Sequence, residues 1–170
     1  MTAEFTNWCG ILCPEPPPCR NRHDELLTQA QAMLATRERN FPMMVQRREL
    51  AGEEAEAQLR TFRMLVADLR WIITAKSGEQ PGDIPITQAD RIAICGALDT
   101  SVETLAQIAS ESGGHLPVQL SEQAHDVIAM RWNYAPERGP LGGRSEQHGC
   151  AIFNGEINRE LRISQKRKAI

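Results

Sequence analysis

The sequence predicts a mainly α-helical protein. Three observations carry that prediction: apolar residues recur every three and four positions between Leu26 and Ile72, two capping quartets stand at Thr87-Gln-Ala-Asp90 and Thr100-Ser-Val-Glu103, and aromatic content is only 5%. The last implies a core built on Leu, Ile, Val, Ala and Met. The architecture expected is a helical hairpin over about 24–75 packed with two or three further short helices. A flexible N-terminal leader precedes it, and a small β-hairpin is on offer near the C-terminus.

Taken in order, residues 1–23 form a Pro- and Cys-rich leader, in which Glu15-Pro-Pro-Pro18 forbids helix. Residues 24–76 form the hairpin. Asp24 caps a first helix with Leu26, Leu27, Ala30, Met33 and Leu34 inward, and Pro42 is expected to break it near Asn40, because an interior proline costs roughly 3 kcal/mol. In the second helix Ala55, Leu59, Phe62, Leu65, Val66, Leu69 and Ile72 make one stripe at 3.6 residues per turn. Glu53, Glu54, Glu56, Arg60, Arg63, Asp68 and Arg70 are read as the solvated face. The turn-rich SGEQPGD at 77–83 marks the best boundary between halves. Residues 84–134 carry helices opened at Thr87, Thr100 and Ser121. Residues 135–170 are a Gly- and Pro-rich loop to about 149, followed by a C-terminal basic tail. There Asn154-Gly155 reads as a type I′ hairpin turn, although Ile157 and Leu161 also fit a short helix.

The segment around 37–72 also resembles a family of small bacteriophage and prophage proteins of uncharacterised activity. The shared pattern is an aromatic-Pro pair, a Val, a short basic turn, a Leu, and a helix with spaced apolar positions ending in an Asp-Leu pair. Here it is carried by Phe41-Pro42, Val45, Arg47-Arg48, Leu50, Ala55, Leu59, Phe62, Leu65 and Asp68-Leu69. Two positions depart from it: Arg48 stands where that family usually has a helix-ending Gly, and Ala51 where it has a capping Ser or Thr. The turn is correspondingly less well specified. The resemblance implies an accessory protein of a phage or prophage with no catalytic role.

At 170 residues, 41% hydrophobic and 24% charged, the composition is that of an ordinary globular domain with tails, long enough to bury about 70% of its extended surface. A net charge of −3 implies neither bulk attraction to nucleic acid nor an acidic mimic. Apolar runs such as Trp71–Ala75 are far shorter than the roughly 20 residues a bilayer span needs. No basic-then-apolar leader opens the chain, so the location expected is cytoplasmic, in the bacterial host if the resemblance holds.

The constellation with most chemical content is Cys9, Cys13, Cys19 and His23, spaced C-x3-C-x5-C-x3-H. Three thiolates and an imidazole are a tetrahedral zinc set when brought within about 2.0–2.3 Å of one centre, and the last two intervals look like those of three-Cys, one-His RNA-binding fingers. The alternative is a disordered leader with three incidental thiols, since Pro-Glu-Pro-Pro-Pro is a disordered composition. The cluster Lys166-Arg167-Lys168 is the candidate nucleic-acid contact, against a reading as a solubilising tail. His148 and Cys150 are read as parts of a solvated loop, and Cys95 as a small core residue.

Phosphate-cradling, metalloprotease, kinase and hydrolase motifs are all missing from the sequence. Three function classes remain: a non-catalytic accessory protein that binds a host or phage macromolecule, a nucleic-acid-binding protein using a zinc-bearing leader and basic tail, and an enzyme whose pocket only the fold would reveal.

Overall fold

The structure, a computed structural model, describes residues 4–139 and 145–169. It is mainly helical: α1 (His23–Gln46) and α2 (Gly52–Lys76) make the hairpin, followed by α3 (Gln88–Glu111), α4 (Val118–Asn133), a single 3-10 turn at Pro136–Arg138, and α5 (Glu146–Lys168). The three helices after the hairpin are longer than the short ones expected. The core lies where Leu26, Ala30 and Met33 of α1 meet Phe62, Leu65, Leu69 and Ile72 of α2, Ile94, Leu98 and Val102 of α3, and Val127 and Ile128 of α4. Among the described residues α3 alone is long and apolar enough to cross a membrane. Its apolar face packs on α2 and α4.

Several boundaries differ from expectation, each for a local reason. Pro42 does not break α1, which continues to Gln46. Pro42 and Glu38 both lie on the exposed face, where water can take the carbonyl that loses its amide donor. Asp24 does not cap α1 either; it sits with Glu25 in the first turn, opposing the helix dipole. The Thr87 quartet is a true capping box, with Thr87 and Asp90 each accepting the other's backbone amide. The Thr100 quartet starts nothing, because the hydroxyls of Thr100, Ser101 and Thr104 donate back to the carbonyls of Gly96, Ala97 and Thr100 and the helix runs on. Helix α4 begins at Val118 behind Pro117, ahead of Ser121.

The leader is not a loose tail. Residues Glu4–Trp8 (β1) and Ile11–Glu15 (β2) pair antiparallel, with Trp8 opposite Ile11. The two residues between them, Cys9 and Gly10, both have positive φ, +53° and +100°, as a type I′ turn requires. Strand β2 turns Cys13 inward and leaves Leu12 outside. At the C-terminal end the expected β-hairpin is replaced by the continuous α5. Gly155 is used there for approach rather than for turning: a Cβ on it would stand 1.9 Å from the Ala75 carbonyl oxygen, so α5 crosses α2 backbone against backbone. The loop expected over 135–149 is in part the 3-10 turn and the start of α5; residues 140–144 lie outside the described residues.

Candidate functional site

The first turn of α5 carries the polar chemistry of this molecule. Ser145 caps it: its hydroxyl accepts the His148 amide, while the Ser145 amide donates to His148 Nδ1. With Nδ1 accepting, the ring hydrogen sits on Nε2, which donates to Asp68 Oδ1 at 2.7 Å. The other Asp68 oxygen accepts from Tyr134 Oη at 2.5 Å. Asp68 and Tyr134 are fully buried and His148 nearly so; Trp71 meets the imidazole edge to face at 5.1 Å. Burial and the neighbouring Asp68 push the Tyr134 hydroxyl well above the usual phenol range, so it stays a donor.

Asp68 therefore corrects the reading of it as a solvated residue. It lies three positions after Leu65 and four before Ile72, on the apolar stripe itself, and that placement was the available signal for a buried carboxylate needing partners. The reading of His148 as a loop residue is corrected too, since only the long-range pairing to α2 distinguishes it. Arg91, also buried, donates to the backbone oxygens of Asn133 and Arg138 and lies 5.2 Å from the Tyr134 ring centre. It braces the chain between α4 and α5 and offsets the Asp68 charge.

One residue earlier on α5, Gln147 faces a separate cleft of about 280 Å³ between the start of α1, the end of α2 and the end of α4. Lys76 donates to the Asn21 carbonyl and to His23 Nδ1, both at 3.2 Å. Burial, then the Lys76 charge, hold His23 down at about 4, so the ring is neutral at ordinary pH. Arg138 stacks over the Trp132 ring at 3.2 Å and sits 3.6 Å from Glu146 on the rim. Trp132 Nε1 and Arg138 Nε are buried with no hydrogen-bond partner among the described residues. His23 Nε2 and the Gln147 amide atoms make no well-aligned bond, although the Gln147 side chain faces both the His23 ring and the Tyr134 hydroxyl. An unpaired buried polar atom costs about 1–3 kcal/mol.

The residues expected to hold zinc are distributed rather than gathered. Cys9 is exposed at the tip of the β-hairpin, and β2 carries Cys13 away from it at about 3.3 Å per residue. Cys13 and Cys19 line one cavity with Glu25, Glu122, His125 and Asp126, whereas His23 lines the cleft beside α5. Burial raises both thiols, Cys19 to about 11, its Sγ donating to the His125 carbonyl at 3.5 Å. Among the described residues there is no cluster of three or more His, Cys, Asp or Glu with metal-site geometry.

Lys166, Arg167 and Lys168 form the last turn of α5 and are exposed. From Glu156 onward every described residue of α5 is exposed. Asn158 and Arg159 reach back to the Lys76 and Gly78 carbonyls at the end of α2; beyond them no described hydrogen bond ties α5 to the body. Phe153, Ile157 and Leu161 recur every four residues and are all exposed. Phe153 lies two positions, or roughly 200° of helix, from the buried Gly155, so this stripe faces away from the body. The chain matches no family model, no curated protein and no solved structure.

Proposed function

We propose that this is a non-catalytic accessory protein of a phage or prophage, acting in the host cytoplasm by binding a host or phage macromolecule through α5. The observation that carries the reading is the outer half of that helix. An isolated helix shorter than about 12–15 residues is marginal in water, yet this one extends from the body with an apolar stripe on its outward face. Between Glu156 and Lys168 it holds Arg159, Arg162, Lys166, Arg167 and Lys168 against Glu156 and Glu160. A protein groove rimmed with carboxylates fits a helix of that character. The resemblance around residues 37–72 supports the phage origin, and the lack of catalytic motifs supports a binding role.

A photo-crosslinker at Leu161 in the full chain, expressed in the bacterial host, should join it to one defined protein. The double change Ile157→Asp and Leu161→Asp should abolish the adduct. Absence of an adduct, together with rapid amide exchange along residues 156–168 in cells, would end the reading. The Lys166-Arg167-Lys168 turn, exposed at the helix end, favours nucleic acid as the second reading. It would take precedence if duplex or single-stranded probes bind with a steep salt dependence that Lys166→Gln, Arg167→Gln and Lys168→Gln remove while Ile157→Asp does not.

A further inference from the structure

We infer that the cleft between α1, the end of α2 and the first turn of α5 is a binding site for a small molecule bearing an oxyanion, a phosphate or a carboxylate. The reasoning is an inventory of what the walls can give and take. Trp132 Nε1 and Arg138 Nε can only donate. Because Lys76 is also only a donor, His23 Nδ1 must accept from it, which leaves the ring hydrogen on Nε2. The Gln147 side chain faces the His23 ring, so its Oε1 is the acceptor to which that Nε2–H turns; Trp132 Nε1, Arg138 Nε and the Gln147 amide group remain as three kinds of buried donor with no partner.

Water answers such a wall poorly, since each molecule that accepts also brings two hydrogens needing acceptors. An oxyanion brings lone pairs and few or no hydrogens. The fixed charges agree: Arg20, Lys76 and Arg138 outweigh Glu146, with His23 neutral. The start of α5 adds the positive end of a long helix dipole. His23 is itself more than nine-tenths buried and lines this cleft. A volume of about 280 Å³ exceeds a bare phosphate and falls just below the span of drug-sized ligand sites, about 300–1,000 Å³, as suits a smaller molecule.

The test uses the full chain labelled with ¹⁵N and titrated with inorganic phosphate, with acetate, and with chloride at matched ionic strength. Three indole signals report: Trp132 in the cleft, Trp71 held on the Gly82 carbonyl, and Trp8 on the hairpin. Phosphate or acetate should move the Trp132 indole saturably, with Trp71 still. Phosphate alone acting would assign a phosphate-bearing ligand, and acetate acting as strongly would assign a carboxylate. Lys76→Gln and Arg20→Gln should each weaken the response at least tenfold, while Arg39→Gln and Arg70→Gln, on exposed helix faces, leave it unchanged. An unshifted Trp71 signal in each variant establishes that it is folded. Chloride reproducing the shift, equal movement of all three indoles, or an intact response in both Lys76→Gln and Arg20→Gln would overturn the assignment.

Discussion

Gln147 and His148 are neighbours in the first turn of α5 and stand in opposite situations. His148 enters a closed cluster in which its Nε2–H and the Tyr134 hydroxyl are both taken by Asp68 and its Nδ1 by the Ser145 amide. Gln147 enters a cleft in which Trp132 and Arg138 present buried donors to no partner and its own amide makes no well-aligned bond. The difference separates polar groups that hold the fold together from polar groups that the fold holds in readiness. A buried network that is complete stabilises and fixes one arrangement, whereas an incomplete one costs stability until something fills it.

Asp68→Ala should have the largest effect on this contrast. It strands two buried donors, so the loss should be about 3–5 kcal/mol in chemical denaturation; a loss below about 1 kcal/mol would mean that the cluster is not closed. The second effect concerns pH. His23 titrates near 6.5 when unfolded and at about 4 when folded, so protons bind the unfolded chain first. Stability contributed by the neutral ring is present above pH 6.5 and is lost as pH falls through 4, by at most about 3 kcal/mol. The groups facing the ring include Lys76, which opposes protonation, and Asp24, which favours it. Comparing unfolding at pH 7 and pH 4.5 with and without His23→Gln isolates the contribution, and identical pH slopes would refute it.

Tyr134→Phe should cost less, about 2 kcal/mol, because Asp68 keeps His148 and a single carboxylate oxygen, rather than two donors, loses its partner. A loss as large as that of Asp68→Ala would make the tyrosine, not the carboxylate, the centre of the cluster. Smallest of all is Gln147→Leu, which deletes two buried atoms that make no well-aligned bond and should leave stability within about 0.5 kcal/mol or raise it. A thermal melt showing substantial destabilisation would mean that the cleft is already complete and would erase the contrast.

Much of the helical body was legible in the sequence, because a stripe such as Leu59, Phe62, Leu65 and Leu69 repeats at the helical period whatever surrounds it. What surrounds it decided the rest. Arg48 and Ala51, the departures from the resembled pattern, fall where the backbone feels them: Arg48 takes φ of +60°, which favours glycine, and Ala51 precedes α2 without a side-chain cap. Asn154-Gly155 carries a turn signal, but the neighbour that uses the glycine, Ala75, is remote in sequence, so local reading left hairpin and helix side by side. The same holds for the candidate sites. Of Cys9, Cys13, Cys19 and His23, close along the chain, only Cys13 and Cys19 share a cavity, Cys9 standing at the hairpin tip and His23 lining the other cleft, while Asp68, Tyr134 and His148, scattered along the chain, meet in the core.

Because Gly155 seats α5 on α2 without an intervening side chain, that one contact sets how far the helix reaches on either side of it. On one side, eight residues reach back to Gln147, an arm of about 12 Å at 1.5 Å per residue; on the other, thirteen reach out to Lys168, an arm of about 20 Å. The longer arm is held to the body only at its root, by Asn158 and Arg159 on the Lys76 and Gly78 carbonyls, and the shorter one at its tip, by His148 on Asp68. Any side chain at 155 would lift the beam off its support at both ends.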